Sequence, residues 1–341
     1  FENAVPGLPE AAKKHDLTPL EYMRRFGAFE LKNNVYALNR NVVAEVDDFD
    51  IRIDDQDRAY RGEDFVGVVV DGKVREGWHT PSKRIEVFSE TLAEWGFADH
   101  AIPWYSKSHV GPHAIDPENG VYCLLPTYRL PTMIHTRSGN SKWLNEISHA
   151  NPVLMHPETA DRHEIESGDL VRVATDIGYF VNRALVTEGM RPGVIACSHH
   201  MGRWRLEDGP GSRWSSATVR IEELDATTRR LRILKDSEAF PSEDPDSRRI
   251  WWKEAGVNQN LCFPVNPDPA SGMHCWHQVV RLTKAETDDR YGDVVVDLKK
   301  SSDRFQEWLG KTKPAKPGGL RRPRWLPRPL KPQDDLYEVP E

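Results

Sequence analysis

The chain has 341 residues, is 38% hydrophobic and 29% charged, and carries a formal net charge of -7 with a mean hydropathy of -0.64. That length permits two or three domains with substantial cores, and the acidic balance excludes a nucleic-acid or membrane-surface binder working through bulk charge. No apolar run approaches the roughly 18 to 20 residues that span a bilayer, so any membrane attachment falls to a partner.

The chain opens on Phe1 with no basic segment, apolar stretch or cleavage site behind it. It therefore reads as a processed product, a downstream piece or an internal start, and localisation is not encoded. Next, "LTPLEYMRRFGAFE" has the signals of a short helix: Thr18 as cap, Pro19 at the first position, Glu21 completing a capping box and Gly27 as the stop. Residues 31–76 are polar and weakly patterned, apart from "FVGVVVDGKV", which predicts two strands around an Asp71-Gly72 turn. "TPSKRIEVFSETLAEWG" predicts an alternating strand through Ile85 and Val87, then a helix capped by Ser89 and ended by Gly96. This first part, residues 1–115, has the texture of the tail end of an α/β domain.

From Gly120 the texture changes. "VYCLLPTYRL", "PVLMHP", "DLVRVAT", "GYFVNRALVTE" and "GVIACSHH" are β-branched runs separated by turn residues, and "HCWHQVVRLTK" is a sixth. Six strands over residues 116–285 suggest a barrel. Residues 203–257 form a long polar insert without clear elements, a length that usually signals function or a partner. Residues 286–341 are expected to be an extended C-terminal arm: its end is rich in Pro and Arg, and Trp325, Leu326, Leu330, Leu336 and Tyr337 recur as if to plug pockets on a partner or on the chain itself.

The four cysteines, Cys123, Cys197, Cys262 and Cys275, form no CxxC pair. Buried, inert thiols are expected rather than zinc or iron-sulfur ligands. The densest polar feature is "HTRSGNSKWLNEI" from His135, where His, Thr, Arg, Ser, Gly and Asn follow one another directly after an apolar run. Such a row of donors, with a Gly that lets backbone approach a ligand, suits an anionic or heavily hydrogen-bonding partner.

The order of that turn and the stretch "NPVLMHPETADRHEIESGDLVRVATDIGYFVNRALVTEGMRPGVIACSHHMGRW" resembles the C-terminal domain of the molybdopterin-dinucleotide oxidoreductases, the dimethyl sulfoxide reductase superfamily. Pro157, Ala160, Ile165, Gly168, Asp169, Gly178, Glu188, Arg191, Pro192 and Gly193 stand where that family's pattern places them. The resemblance covers residues 78–202 and, more loosely, 258–283. It implies a mostly β fold with an α/β N-terminal part, a six-stranded double-psi β-barrel and an extended arm.

Such a barrel, by this resemblance, caps a bis-molybdopterin guanine dinucleotide carrying molybdenum or tungsten. Thr127, Arg129, His135, Thr136, Arg137, Ser138 and Asn140 become candidate contacts, as do His199 or His200, Asn260 and His277. Tyr128 replaces a Gly of some relatives, and His277 a Lys. Because consecutive strand residues face opposite ways, His199 and His200 cannot share one site if their strand continues, so no metal ligands are expected. No catalytic residue and no metal-ligand region is recognisable in the sequence.

The resemblance further implies a missing N-terminal catalytic half or chain, an iron-sulfur electron-transfer subunit holding the clusters, a membrane anchor as a further candidate partner, and no activity of this chain alone. A small inorganic sulfur or arsenic oxyanion is the expected substrate type, with formate dehydrogenase as the alternative. A free-standing double-psi barrel acting as a binding module, without cofactor or companion chain, is the reading from a different class.

Overall fold

The computed structural model describes residues 5, 7–31, 35–105, 107–130, 134–135, 141–210, 216–238, 253–268, 272–273 and 275–312. The chain divides into two compact units, one of residues 1–91 with 101–103, the other of 92–100 with 104–341. The division thus falls before the boundary expected at residue 115.

In the first unit, helices α1 (Leu8–Lys13) and α2 (Pro19–Phe26) bury Leu8, Ala12 and Tyr22 against each other. The capping box is formed as read: Thr18 N donates to the Glu21 carboxylate at 2.9 Å and Glu21 N donates to Thr18 Oγ1 at 3.3 Å. Strands β1 (Val42–Glu45), β2 (Ile51–Ile53), β3 (Arg58–Arg61), β4 (Asp64–Val70) and β5 (Lys73–Arg75) make an antiparallel sheet in the order β1-β5-β4-β3-β2. Asp71 (φ 53°) and Gly72 (φ 72°) are both left-handed, the conformation that a two-residue hairpin needs. The strand expected through Ile85 and Val87 is absent, and both side chains are more than two-thirds exposed (72% and 71%). Local bonds claim that backbone instead: Trp78 N donates to Lys83 O at 2.8 Å, and the Glu86 carboxylate accepts from Ser82 N at 3.1 Å. Helix α3 (Glu90–Glu94) follows where expected.

The second unit is organised by a closed barrel. Strands β6 (Val121–Leu125), β7 (Val153–Met155), β8 (Leu170–Ala174), β9 (Gly178–Val186) and β10 (Val194–Ala196) fall on five of the six predicted runs. Beyond the insert, the sixth run gives β14 (Gln278–Lys284), and the six close in the order β9-β7-β10-β6-β14-β8 and back to β9. β6 pairs parallel with β10, and β7 parallel with β9. Parallel strands covered on both faces require continuous apolar runs, and Val153, Leu154 and Met155 are all buried. β8 and β14 alternate instead, placing Val171, Val173, Val280 and Leu282 in the core beside Tyr122, Leu124, Phe180 and Ile195. Each such side chain stabilises the barrel by about 1.5–3 kcal/mol. Cys123, Cys197 and Cys262 are buried, and all four thiols are free. Burial pushes the Cys197 thiol up to about 12, which keeps it protonated. Helices α4 (Lys142–Ile147) and α5 (Pro157–Arg162) join β6 to β7 and β7 to β8.

The polar insert is not without elements. It contains β11 (Trp204–Leu206), β12 (Ala217–Glu223) and β13 (Thr228–Lys235), which extend the sheet through β15 (Val294–Asp297) onto β9. Its alternation is hidden because the outward residues are opposite charges set across from each other. Glu222 faces Arg230 and Glu223 faces Arg229 in register, and Arg220 reaches Glu207 at 2.8 Å. Cross-strand pairs of this kind contribute about 0.2–1 kcal/mol each.

The expected extended arm gives way to folded chain as far as residue 312. The Val294–Val296 run is buried between β9 and β13, and Asp297 caps helix α6 (Leu298–Lys311) by accepting from Lys300 N at 3.0 Å. Trp325 and the rest of 313–341 lie outside the described residues.

One buried ion pair fixes the added strands to the barrel. Arg232 donates from Nε to Asp293 Oδ1 at 3.0 Å and from Nη2 to Asp293 Oδ2 at 2.6 Å, with side chains 11% and 0% exposed. Asp293→Ala strands the guanidinium in the interior, and a loss of about 3–5 kcal/mol is expected. Urea unfolding followed by tryptophan fluorescence measures it, and a loss under about 1 kcal/mol would mean that water replaces the carboxylate.

Candidate functional site

Three segments meet at one end of the barrel: the turn after β6, the turn after β10, and residues 256–260 where the insert returns. Buried Asn151, just before β7, ties two of them together. Its Nδ2 donates to Ser198 O at 2.6 Å and to Val257 O at 3.0 Å, while its Oδ1 accepts from Val257 N at 2.8 Å. Asn182 Nδ2 supports it from β9 by donating to Asn151 O at 2.7 Å, and Gln259 Nε2 donates to Cys197 O at 2.6 Å. The two chains then cross so closely that only glycine fits. Gly202 (φ 84°) lies against the backbone of Val257 and Asn258, and Gly256 (φ 93°) against Met201 and Gly202.

These segments enclose a cavity of about 350 Å³ lined by His135, His199, His200, Trp204, Gln259 and Asn260 among others. β10 stops at Ala196, and His199 and His200 lie in a turn rather than a strand. The alternation that would have separated them therefore does not apply, and both reach the same cavity. Their ring centroids are 4.3 Å apart, and His135 lies 5.1 Å from His199 and 4.5 Å from His200. One ligand atom from each of the three falls within 4.8 Å of the others, an arrangement that could hold a metal ion where none was expected. His199 Nδ1 sits 2.6 Å from Pro126 O and must donate to it, which leaves Nε2 as an acceptor when the ring is neutral. His200 Nδ1 lies 2.8 Å from Ser198 Oγ. Burial, reinforced by the neighbouring His199, His135 and Arg129, holds His200 down to about 4, so it is neutral at physiological pH.

Several residues of the cavity escaped the sequence reading. Arg203 and Trp204, at the start of the insert, line it beside Asn258 and Gln259. Burial lowers the Arg203 pKa. Gln259 Oε1 and Trp204 Nε1 are buried without a hydrogen-bond partner among the described residues. An acceptor and a donor left open in this way are what a polar ligand would satisfy. The signal available in the sequence was the basic, aromatic "GRWR" directly after "SHHM".

Of the expected contacts, His135, His199, His200 and Asn260 come together, with Arg129 near enough to act on His200. Thr127 is half-buried in the turn after β6, outside the cavity lining. His277 is exposed and does not line the cavity; its carbonyl meets His109 Nε2 at 2.9 Å, while the preceding Trp276 stacks on His199 at 4.8 Å. Thr136, Arg137, Ser138 and Asn140 lie outside the described residues. A second cavity, of about 410 Å³, lies beside α6, but its Arg304 is already paired with Asp176 and Glu307.

Residues 124–229 match the family model of the molydopterin dinucleotide binding domain. The trimethylamine-N-oxide reductase of Pasteurella multocida (strain Pm70) is 35% identical over 134 residues, 37% of this chain and 15% of that protein. The dimethyl sulfoxide reductase DmsA of Haemophilus influenzae is 32% identical over 140 residues, 38% of this chain and 16% of that protein. The thiosulfate reductase molybdopterin-containing subunit PhsA of Salmonella typhimurium is 30% identical over 118 residues, 34% of this chain and 14% of that protein. The alignments thus span less than a fifth of the length of these relatives. Among solved structures, acetylene hydratase from Pelobacter acetylenicus aligns with a TM-score of 0.33 at 23% identity, over 44% of this chain and 19% of that one.

The depressed His200 pKa has a consequence for stability. Its folded value of about 4 lies below the ordinary 6.5, so between the two the unfolded chain binds the extra proton and the folded one does not. Its contribution is complete above about pH 6.5 and is lost as pH falls toward 4. We expect roughly 1 kcal/mol from this group once solvent in the cavity is allowed for. Thermal unfolding across that range measures it, and His200→Gln should flatten the slope by this amount; superimposable profiles would place the acid sensitivity elsewhere.

Proposed function

We propose that this chain, whose residues 124–229 are a molydopterin dinucleotide binding domain of the dimethyl sulfoxide reductase superfamily, caps the cofactor in the catalytic subunit of a molybdenum or tungsten oxidoreductase. The carrying observation is that Gln259 and Trp204, whose Oε1 and Nε1 are buried without a hydrogen-bond partner among the described residues, are among the residues of a histidine- and arginine-bearing cavity at the end of the barrel. A dinucleotide offers amide-like ring edges and phosphate oxygens, and burying them demands a partner for nearly every polar atom. When bound, the metal carried by the pterin dithiolenes supplies two-electron chemistry, with or without transfer of an oxygen atom.

The chain's own residues bind and orient. His199 Nε2 and Gln259 Oε1 accept hydrogen bonds, Trp204 Nε1 donates one, and Arg203 offers a fork suited to an anionic oxygen. Asn260 completes the rim, and the donor-rich turn after His135 is the further contact that the sequence suggests. The whole enzyme reduces a small oxo compound of sulfur or arsenic, in this reading, with electrons from iron-sulfur partner subunits. The reductase names of the relatives favour this over formate oxidation. The companion catalytic half and an anchoring subunit belong to the same proposal.

The test is to purify the chain with its companions and measure metal and guanine nucleotide released by acid. Molybdenum or tungsten near stoichiometry is expected, and Gln259→Leu should lower cofactor retention by about tenfold, equivalent to one lost buried hydrogen bond. An active complex free of both metals would defeat the proposal.

A further inference from the structure

We propose that His135, His199 and His200 hold one divalent first-row transition ion, of the zinc, cobalt or nickel kind, with an open coordination position toward the cavity. His135 comes from the segment after β6 and His199 and His200 from the turn after β10, and one ligand atom from each lies within 4.8 Å of the others. Tetrahedral zinc at about 2.0–2.1 Å from each nitrogen needs ligand atoms about 3.4 Å apart. Closing on one ion therefore takes a contraction on the order of 1 Å among the three rings.

Two of the three rings are held as metal-binding imidazoles usually are. His199 uses Nδ1 on Pro126 O at 2.6 Å and packs on Trp276, and His200 Nδ1 meets Ser198 Oγ at 2.8 Å. His199 therefore has its Nε2 available, and His200 does so in the tautomer whose Nδ1 donates to Ser198 Oγ, with each ring's orientation set by its Nδ1 contact. The set contains only imidazoles, which suits zinc, cobalt, nickel or copper and disfavours magnesium or calcium. Three protein ligands leave a fourth position for an oxygen or nitrogen donor, and Arg203 and Asn260 on the same cavity favour an anionic oxygen such as that of a phosphate.

This ion is distinct from molybdenum or tungsten, which dithiolenes hold, but it takes up the His199 Nε2 that the pterin reading gives to the dinucleotide, so the ion and the dinucleotide exclude each other at that atom and the two claims are tested separately. The experiment uses the full chain, stripped with chelator and free of pterin, titrated with cobalt(II) and followed by visible absorption. One cobalt per chain with the intense bands of a four-coordinate site, displaced by zinc, is expected. His135→Ala, at an exposed position that does not threaten the fold, and the size-matched His200→Gln should each abolish the bands. Ser198→Ala should weaken binding on the order of tenfold by freeing the His200 ring. The proposal is overturned by absent bands in the parent chain, or by cobalt retention that survives in the His135→Ala, His200→Gln double variant. Neither result bears on the molybdenum content of the assembled enzyme.

Discussion

The site depends on a single buried amide. Asn151 satisfies three backbone groups of two distant segments, Ser198 O, Val257 O and Val257 N, from a position with no solvent exposure. A buried polar backbone group without a partner costs about 1–3 kcal/mol, so either segment moving alone is penalised several times over. That constraint sets the spacing between the histidine turn and the returning insert. It is also why Gly202 and Gly256 must be glycines, since two backbones clamped this closely leave no room for a Cβ.

Clamping both ends of the insert has a second effect. The chain leaves the barrel at Gly202 and is recaptured at Gly256, so what lies between can vary without disturbing the cavity floor. Here it adds strands to the barrel's edge through β15, anchored by the Arg232–Asp293 pair. Its first residues, Arg203 and Trp204, meanwhile contribute to the cavity wall. An insert attached in this way alters the site's chemistry at its root and the protein's surface at its tip.

The barrel was legible because its strands are pure apolar runs or clean alternations punctuated by Gly, Pro and Asp, and the sequence reading placed all six. The insert strands were not, because charges of opposite sign alternate with apolar residues and mask the period until Glu222 is seen facing Arg230. Val294–Val296 and α6 were lost for a different reason: the Pro- and Arg-rich end gave its character to a segment whose first part packs conventionally. At the site, the donor-rich stretch pointed to His135 and "SHHMG" to His199 and His200, which line one cavity. The geometry of the pair did not follow, because the end of a strand is set by tertiary hydrogen bonding. Asn151 donating to Ser198 O and His199 N donating to Pro126 O draw the chain into a turn there.

The same polar atoms link ligand binding to the stability of this end of the barrel. Gln259 spends its amide nitrogen on Cys197 O and leaves its oxygen open, so the residue is rigid before any ligand arrives. His199 is likewise committed at Nδ1 and open at Nε2. Holding open groups in place raises the free energy of the empty protein by about 1–3 kcal/mol per atom that water cannot serve. A ligand that satisfies them recovers that energy without an ordering cost, since Asn151 and Asn182 already fix the frame. By linkage, the folded state then gains stability with ligand concentration as RT ln(1 + [L]/Kd), and the gain is concentrated in the turn, the returning insert and the strands that carry them.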